Sequence, residues 1–115
     1  MPGDDSIRLK HMLDAAREAI KLSSGKSRFD IESERVLNLA LVRLIEIAGE
    51  AANRVSGQGR SKYPEIPWGQ IVGMRNRLIH GYDNVDFEVI FKTVTEDLPQ
   101  LVVELEKILC AAKKI

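Results

Sequence analysis

Apolar side chains recur every three or four residues along almost the whole sequence, and this spacing constrains the fold more than any other feature. The longest predicted helix spans about residues 29–55, where Leu37, Leu41, Leu44 and Ala48 share one face. A period near 3.6 residues is typical of an amphipathic helix, whereas a half-buried strand alternates with a period of two. Since no stretch shows that alternation, the sequence predicts an all-α fold.

The N-terminal half is predicted to contain one more helix and two connecting segments. Asp4, Asp5 and Ser6 are candidate N-caps for a first helix that runs to about Ser23, and a turn follows it. Residues 56–67 are rich in Gly and Pro, so we expect a loop there.

The C-terminal half is predicted to begin with a central helix over residues 68–80, between Pro67 and Gly81. Asp86 is the expected N-cap of a short fourth helix. Pro99 marks either the start of a fifth helix or a kink in one long helix, because proline suits a first turn and disrupts an interior. We therefore expect a single helical bundle of four to five helices, forming one domain over residues 1–115.

The composition limits the function classes. The 115 residues include 17 basic and 17 acidic side chains, so any site for a polyanion must be local rather than a general polycationic surface. One cysteine, Cys110, excludes an intramolecular disulfide and a cysteine zinc cluster and fits a reducing compartment. Since the sequence shows neither a signal-peptide pattern nor an apolar run of membrane-spanning length, we expect a cytoplasmic protein with no membrane contact.

Arg75 is the most unusual residue of the central helix. It lies in the middle of the apolar arc formed at helical spacing by Trp68, Ile71, Val72, Met74, Leu78 and Ile79. A buried guanidinium needs a counter-charge, so a helix that only filled a core would not be expected to carry one here. Asn76 and His80 stack at the edge of the same arc, four residues apart. A fixed cation, an amide and a titratable imidazole thus indicate a functional site, or a buried polar network that resembles one.

Glu46 and Glu50, four residues apart on the longest predicted helix, are the two acidic residues in the sequence that most resemble a catalytic pair of carboxylates. Acid–base catalysis is one interpretation. The alternative, which we favour, is that they pair with Arg43, Arg54 or the internal Arg75.

The spacing of Arg75 and His80 adds a geometric condition. They are five residues apart, so on a regular helix their side chains diverge by about 140°. Both can reach one substrate if the helix ends near His80 or if a second copy of the chain completes the cleft. Since the longest helix is apolar on two faces, with Gly49 allowing a close approach on one of them, we expect a symmetric homodimer.

The segment from Met74 to Asp86, Met-Arg-Asn-Arg-Leu-Ile-His-Gly-Tyr-Asp-Asn-Val-Asp, resembles the signature of the HEPN superfamily, and specifically of the HepT-like toxins. That motif consists of an Arg followed by a polar residue, then a His, and a Tyr two residues after the His. These positions correspond here to Arg75, Asn76, His80 and Tyr82. Residues 47–53 and 97–101 resemble two further segments of the same family.

The resemblance implies a HEPN-like bundle that acts as a metal-independent endoribonuclease without cofactors, the toxin of a toxin–antitoxin pair. Arg75 and His80 would be catalytic, while Asn76 and Tyr82 would bind RNA phosphate or orient the catalytic groups. The implied antitoxin is a nucleotidyltransferase of the MNT type, which would add AMP to Tyr82 and block the groove with charge and bulk. A noncatalytic helical module that binds a nucleotidyltransferase or a nucleotide is the alternative function.

Overall fold

The fold is all-α, as the sequence predicts. The structure is a computed structural model, and it describes residues 3–79 and 84–113. Its helices are α1 (Gly3–Ser23), α2 (Arg28–Ser33), α3 (Arg35–Asn53), α4 (Gly57–Lys62), α5 (Trp68–Val72), α6 (Met74–Leu78), α7 (Phe87–Lys92), a π-helical turn (Thr93–Asp97) and α8 (Leu98–Lys113). Within these ranges there is no β-strand, and one isolated bridge joins Ile79 to Val85. None of the described helices is long and apolar enough to cross a membrane.

The core is built on α1, which packs against α3 on one side and against α8 on another. Fully buried side chains from these three helices meet there, among them Leu9, Met12, Leu41, Ile45 and Leu105. Each large apolar side chain that is buried in this way contributes about 1.5–3 kcal/mol. Helices α5 and α6 pack on α3, which therefore supports the central segment of the chain.

The predicted helix over residues 29–55 is wrong at its N-terminal end, because the chain breaks at Glu34 into α2 and α3. Glu34 has an extended backbone, with φ −93° and ψ 95°. The buried Asn38 side chain donates a hydrogen bond to the Ile31 carbonyl oxygen over 3.0 Å, which satisfies an acceptor at the end of α2. A capping box between Ser27 and Asp30 fixes the start of α2. Capping at both ends thus stabilises a separate short helix.

The predicted continuous helix over residues 68–80 is also wrong, because it breaks at Gly73 and ends at Leu78. The turn at Gly73 is tight: a Cβ at Gly73 would lie 3.3 Å from the Gly69 carbonyl oxygen. The Arg77 Nη2 donates to the Gln70 carbonyl oxygen over 2.9 Å, which satisfies an acceptor at the end of α5. A side chain from the second helix therefore caps the first, and α5 and α6 do not share one continuous face.

The predicted loop over residues 56–67 contains α4, and Asp5 explains how that helix begins. Asp5 lies inside the first turn of α1 rather than capping it, and it is buried. Its carboxylate accepts hydrogen bonds from the Ser56 backbone N–H (2.9 Å) and the Ser56 hydroxyl (2.6 Å). The Ser56 Oγ in turn accepts from the Gly59 N–H over 3.0 Å as the N-cap of α4. These bonds tie the start of α1 to the start of α4.

Ser56→Ala is expected to lower the free energy of unfolding by about 1 kcal/mol at neutral pH, because it removes an N-cap. The bonds from the Ser56 side chain and then from its backbone lower the pKa of Asp5, against the opposing effect of burial. A lowered native pKa stabilises the fold above the unfolded pKa, and this stability is lost as the pH falls through the native pKa. The difference between wild type and variant, measured by urea unfolding, should therefore shrink below about pH 4. A pH-independent difference would contradict this account.

The C-terminal third agrees with the prediction. Asp86 caps α7, as predicted, accepting hydrogen bonds from the Glu88 and Val89 backbone N–H groups. The chain then runs into α8 through the π-helical turn with αR backbone at Lys92 and Leu98, so Pro99 lies in the first turn of α8 and within one continuous helical run. Proline cannot donate to the carbonyl four residues earlier and crowds it, and the wider π turn accommodates that defect. The Leu98 N–H accordingly bonds to the Thr93 carbonyl oxygen.

Candidate active site

The candidate site lies where α3 meets the break between α5 and α6, and Gly49 makes this approach possible. A Cβ at Gly49 would lie 3.1 Å from the Ile71 carbonyl oxygen and 3.5 Å from that of Val72. Gly49 therefore lets α5 pack closely on α3, in agreement with the prediction that it would allow a partner helix to approach. As a consequence, the first turn of α6 is held against the middle of α3.

Arg75 extends from this turn toward solvent, and the prediction that it is buried is wrong. Its side chain is 49% exposed, while its neighbours Met74 and Leu78 are buried. The apolar arc that placed Arg75 at its centre assumed a continuous helix, and the break at Gly73 separates the two halves of that arc. Asn76 and Arg77 are exposed beside it.

Glu46 supplies the counter-charge that the sequence predicts. Its Oε2 accepts a hydrogen bond from the Arg75 Nε over 2.7 Å, and its Oε1 accepts one from the Arg43 Nη1. The Glu46 side chain is 23% exposed, less than either arginine, so the carboxylate is the inner member of the trio. Both of its oxygens are thus engaged by guanidinium groups.

The two arginines also lower the pKa of the Glu46 carboxyl group. The hydrogen bond from Arg43 and then that from Arg75 lower the pKa of Glu46, against the opposing effect of burial. A carboxylate with a lowered pKa is a weak base and is fully charged at neutral pH. Glu50 is exposed and forms no ion pair with any described residue. The ion-pair interpretation of Glu46 is therefore confirmed, and Glu46 is better suited to orient Arg75 than to move protons.

A shallow cavity of about 130 Å³ lies beside this ion pair. It is lined by residues of α3, α5 and α6, namely Glu46, Gly49, Glu50, Asn53, Val72, Arg75 and Asn76. The cavity thus brings together two of the predicted site residues, Arg75 and Asn76. Asn53 was not singled out from the sequence, although it ends the second segment that resembles the HepT-like family. Its place in the cavity follows from the α3–α5 contact, which no pattern along the chain reveals.

His80 and Tyr82, the other two predicted site residues, lie outside the described residues. The described residues that flank this gap lie beside the site. Helix α6 ends at Leu78, and Ile79 is extended, with φ −112° and ψ 118°. Val85 bridges Ile79, and the Asp86 N–H donates to the Leu78 carbonyl oxygen over 2.7 Å. The helix therefore ends two residues before His80, which meets one of the two conditions under which the spacing of Arg75 and His80 allows a common site. Their convergence on one substrate stays a prediction.

Metal ligands were not predicted. In residues 3–79 and 84–113, no group of three or more His, Cys, Asp or Glu side chains is placed to hold a metal ion. The polar groups that line the described part of the site are a guanidinium, two amides and two carboxylates, which are hydrogen-bonding and charged groups suited to a polar or anionic ligand.

Comparison with known proteins identifies the family. The family model for HepT-like ribonucleases matches residues 12–108. A protein of Methanocaldococcus jannaschii named as an RNase is 33% identical over 98 residues, covering 85% of this chain and 90% of its own length. A protein of Caldanaerobacter subterraneus, also named as an RNase, is 36% identical over 88% of this chain and 90% of its own.

A third relative, named probable ribonuclease HepT, comes from Thermococcus cleftensis and is 37% identical over 86% of this chain and 94% of its own. No solved structure matches the chain. The all-α fold agrees with the family, which belongs to the HEPN superfamily that the motif resembles. The chain therefore belongs to the HepT-like ribonuclease family.

Proposed function

We propose that this ribonuclease cuts RNA internally and without a metal ion, by attack of a ribose 2′-OH on the adjacent phosphate. The observation that carries the proposal is the Glu46–Arg75 ion pair at the edge of the cavity that Asn76 also lines. This ion pair holds the guanidinium of Arg75, a donor group that is always charged, in a fixed position. Arg75 is also the first residue of the motif that resembles the HepT-like family.

Arg75 is proposed to stabilise the charge that develops on the phosphate oxygens in the transition state. Arginine has five N–H donors in one plane, and Glu46 engages the one on Nε. The two Nη groups can then donate in parallel to two phosphate oxygens, the arrangement in which charge-assisted hydrogen bonds are strongest. A guanidinium that is already oriented does not have to reorganise when the charge appears.

His80 is proposed to move the protons. A base accepts the 2′-OH proton while O2′ bonds to phosphorus, and an acid donates a proton to O5′ while the P–O5′ bond breaks. The products are a 2′,3′-cyclic phosphate and a 5′-hydroxyl, so atoms and charges balance without a co-reactant. Histidine is the side chain that can serve in both forms near neutral pH. A symmetric homodimer would supply two copies of His80, one for each proton, if the two motifs face each other.

Asn76 and Tyr82 are proposed to bind and align the RNA. The exposed Asn76 amide lines the cavity and can donate to a phosphate oxygen or orient His80. The phenol ring of Tyr82 can stack on an unpaired base or donate to phosphate. These contacts do not distinguish one base from another, so we expect the enzyme to cleave RNA with weak sequence preference.

The proposed biological role is that of a cytoplasmic toxin that an MNT-type nucleotidyltransferase antitoxin inactivates by transferring AMP to Tyr82. The reaction forms a bond from the Tyr82 oxygen to the α-phosphate of ATP and releases pyrophosphate. Coexpression with such an enzyme should add the mass of AMP to the peptide containing Tyr82. The other tyrosine of the chain, Tyr63, is the internal control. An unmodified Tyr82, or a modified Tyr63, would contradict this part of the proposal.

The experiment that tests the enzymatic role is RNA cleavage in EDTA by wild type and by the His80→Ala variant. General acid–base catalysis contributes about 10²–10⁴-fold, and a loss of that size is expected. Circular dichroism and a dimer mass that match wild type would exclude misfolding as the cause. If the folded variant cleaves as well as wild type, or if neither protein cleaves, the proposal fails, and a noncatalytic partner-binding module becomes the better account.

Glu46→Gln tests the orienting role of the ion pair. The glutamine keeps the shape but removes the negative charge and replaces one of the two accepting oxygens by an NH2 group that cannot accept, so kcat should fall about tenfold. Glu18→Gln, which removes the same charge from an exposed position on α1, is the matched control. Because the pKa of Glu46 is lowered, the difference between variant and wild type should persist from neutral pH down to the ordinary Glu range and shrink only below it. An unchanged kcat would exclude the orienting role.

A further inference from the structure

A second shallow cavity, of about 140 Å³, lies between α1 and α3 and has no part in the chemistry proposed above. Arg8 and His11 of α1 line one side of it, and Ile47, Glu50, Ala51 and Arg54 of α3 line the other. We call these residues the α1–α3 cavity. Three of its six side chains are potential cations.

The two arginines of the α1–α3 cavity are not neutralised by any acidic side chain in the part of the chain that the structure describes. Neither guanidinium forms a hydrogen bond or ion pair with a residue that the structure describes, although Glu50 precedes Arg54 by four residues on α3. By contrast, Arg17, on another face of α1, is paired with Glu106 of α8 at 2.8 Å. Two arginines at one cavity without a carboxylate partner provide a ready site for an anion, and their planar donors match phosphate geometry.

The α1–α3 cavity and the candidate active site are separate cavities that lie on either side of Glu50 on α3. Glu50 lines both cavities, and the α3 positions of the two sets alternate along one stretch of the helix. Glu46 and Arg54 are eight residues apart, which is roughly 12 Å along the helix at 1.5 Å per residue. A polymer bound at Arg75 can therefore reach Arg54 without leaving the surface of the protein.

We propose that the α1–α3 cavity is a phosphate-binding subsite for single-stranded RNA that extends from the cleavage site. The inference rests on the proposed function and deepens it by assigning the path of the substrate. Arg8 and Arg54 would bind a backbone phosphate of a flanking nucleotide, and the exposed His11 ring would stack on its base. Glu50 lies between the two cavities and repels the phosphates that pass over it, so it limits affinity.

The test is RNA affinity as a function of salt for the double variant Arg8→Gln/Arg54→Gln. A fluorescent single-stranded RNA of about a dozen nucleotides is the probe, and fluorescence anisotropy is the readout. The slope of log affinity against log salt falls by about 0.7 for each phosphate of a single strand that is no longer neutralised, so losing the one phosphate held by both arginines should lower it by about 0.7. We expect the affinity at low salt to fall about tenfold or more, and KM for a long RNA to rise more than kcat falls.

The matched control is Lys21→Gln/Lys107→Gln, which removes the same charge from exposed side chains of α1 and α8. This control separates a local site from the effect of net charge. As a complement, Glu50→Gln should raise RNA affinity, because it removes the repelling carboxylate from the path.

The outcomes separate the two proposals. If the Arg8/Arg54 variant keeps the affinity and salt slope of the control while Arg75→Ala still abolishes cleavage, the subsite is wrong and the proposed function stands. If wild type neither binds nor cleaves RNA, the proposed function fails and the subsite fails with it. If the Arg8/Arg54 variant loses its dimer mass, the cavity is an interface between copies of the chain, and the subsite assignment is also overturned.

Discussion

Arg75→Ala is expected to lower kcat/KM for RNA cleavage about 10²–10³-fold, the effect of removing a preorganised donor from a developing oxyanion. Arg77→Ala is the matched control, because Arg77 lies two residues away on the same short helix and is also exposed. Arg77 donates to the Gln70 carbonyl oxygen, whereas Arg75 is held by Glu46 at the cavity. The control should therefore affect stability more than catalysis.

Arg75→Lys sharpens this comparison. Lysine keeps the charge but lacks the planar fork, so it cannot bond to Glu46 and to two phosphate oxygens at once. Activity should lie between that of wild type and that of the alanine variant, with the larger loss in kcat. Initial rates with a fluorogenic RNA, together with unfolding curves for each variant, provide the measurement. Equal losses for Arg75→Ala and Arg77→Ala would show that Arg75 has no special role in catalysis.

Gly49→Leu is expected to destabilise the fold by about 3 kcal/mol, at the upper end of what an overpacked position costs. Even a Cβ at Gly49 would lie 3.1 Å from the Ile71 carbonyl oxygen, and a backbone atom cannot move aside as a flexible side chain can. A larger side chain must push α5 away from α3. Because α6 follows α5 directly, Arg75 would lose its contact with Glu46, so RNA cleavage should fall as well.

Gly69→Leu is the matched control for this substitution. Gly69 lies on α5, and a Cβ placed there meets no atom within 4 Å. Replacing an exposed helical glycine is expected to be neutral or to stabilise by up to about 1 kcal/mol. Urea unfolding of both variants, with cleavage assayed at a temperature where each remains folded, separates packing from catalysis. A Gly49→Leu variant as stable and active as wild type would mean that the α3–α5 contact does not position the site.

The features that the sequence predicted correctly depend on local interactions. The apolar period predicted the helices, and Asp86 was identified as an N-cap because a side-chain oxygen at that position bonds to N–H groups two and three residues later. The pairing of Glu46 with Arg75 is a tertiary contact that was predicted from the expected burial of Arg75, and the pair forms although Arg75 is exposed.

The errors arise where side chains from elsewhere in the chain satisfy the backbone. Arg77 caps the break at Gly73, Asn38 caps the end of α2, and Asp5 binds the start of α4 through Ser56. None of these bonds leaves a periodic signal in the sequence. Because the helix breaks at Gly73, the Arg75 side chain is exposed, although the sequence predicted that it would be buried. The α1–α3 cavity was not predicted for the same reason, because it depends on how α1 packs against α3.

The most direct test of 2′-OH attack at the Arg75 site uses two RNA substrates of identical sequence, one of which carries a single 2′-deoxy sugar at the cleaved position. Both are incubated with wild-type protein in EDTA, and the product ends are analysed by mass spectrometry. We expect the all-ribose RNA to be cut to a 2′,3′-cyclic phosphate and a 5′-hydroxyl and the deoxy position to resist cleavage. Cleavage at the deoxy position, or cleavage that requires added metal, would contradict 2′-OH attack at the Arg75 site.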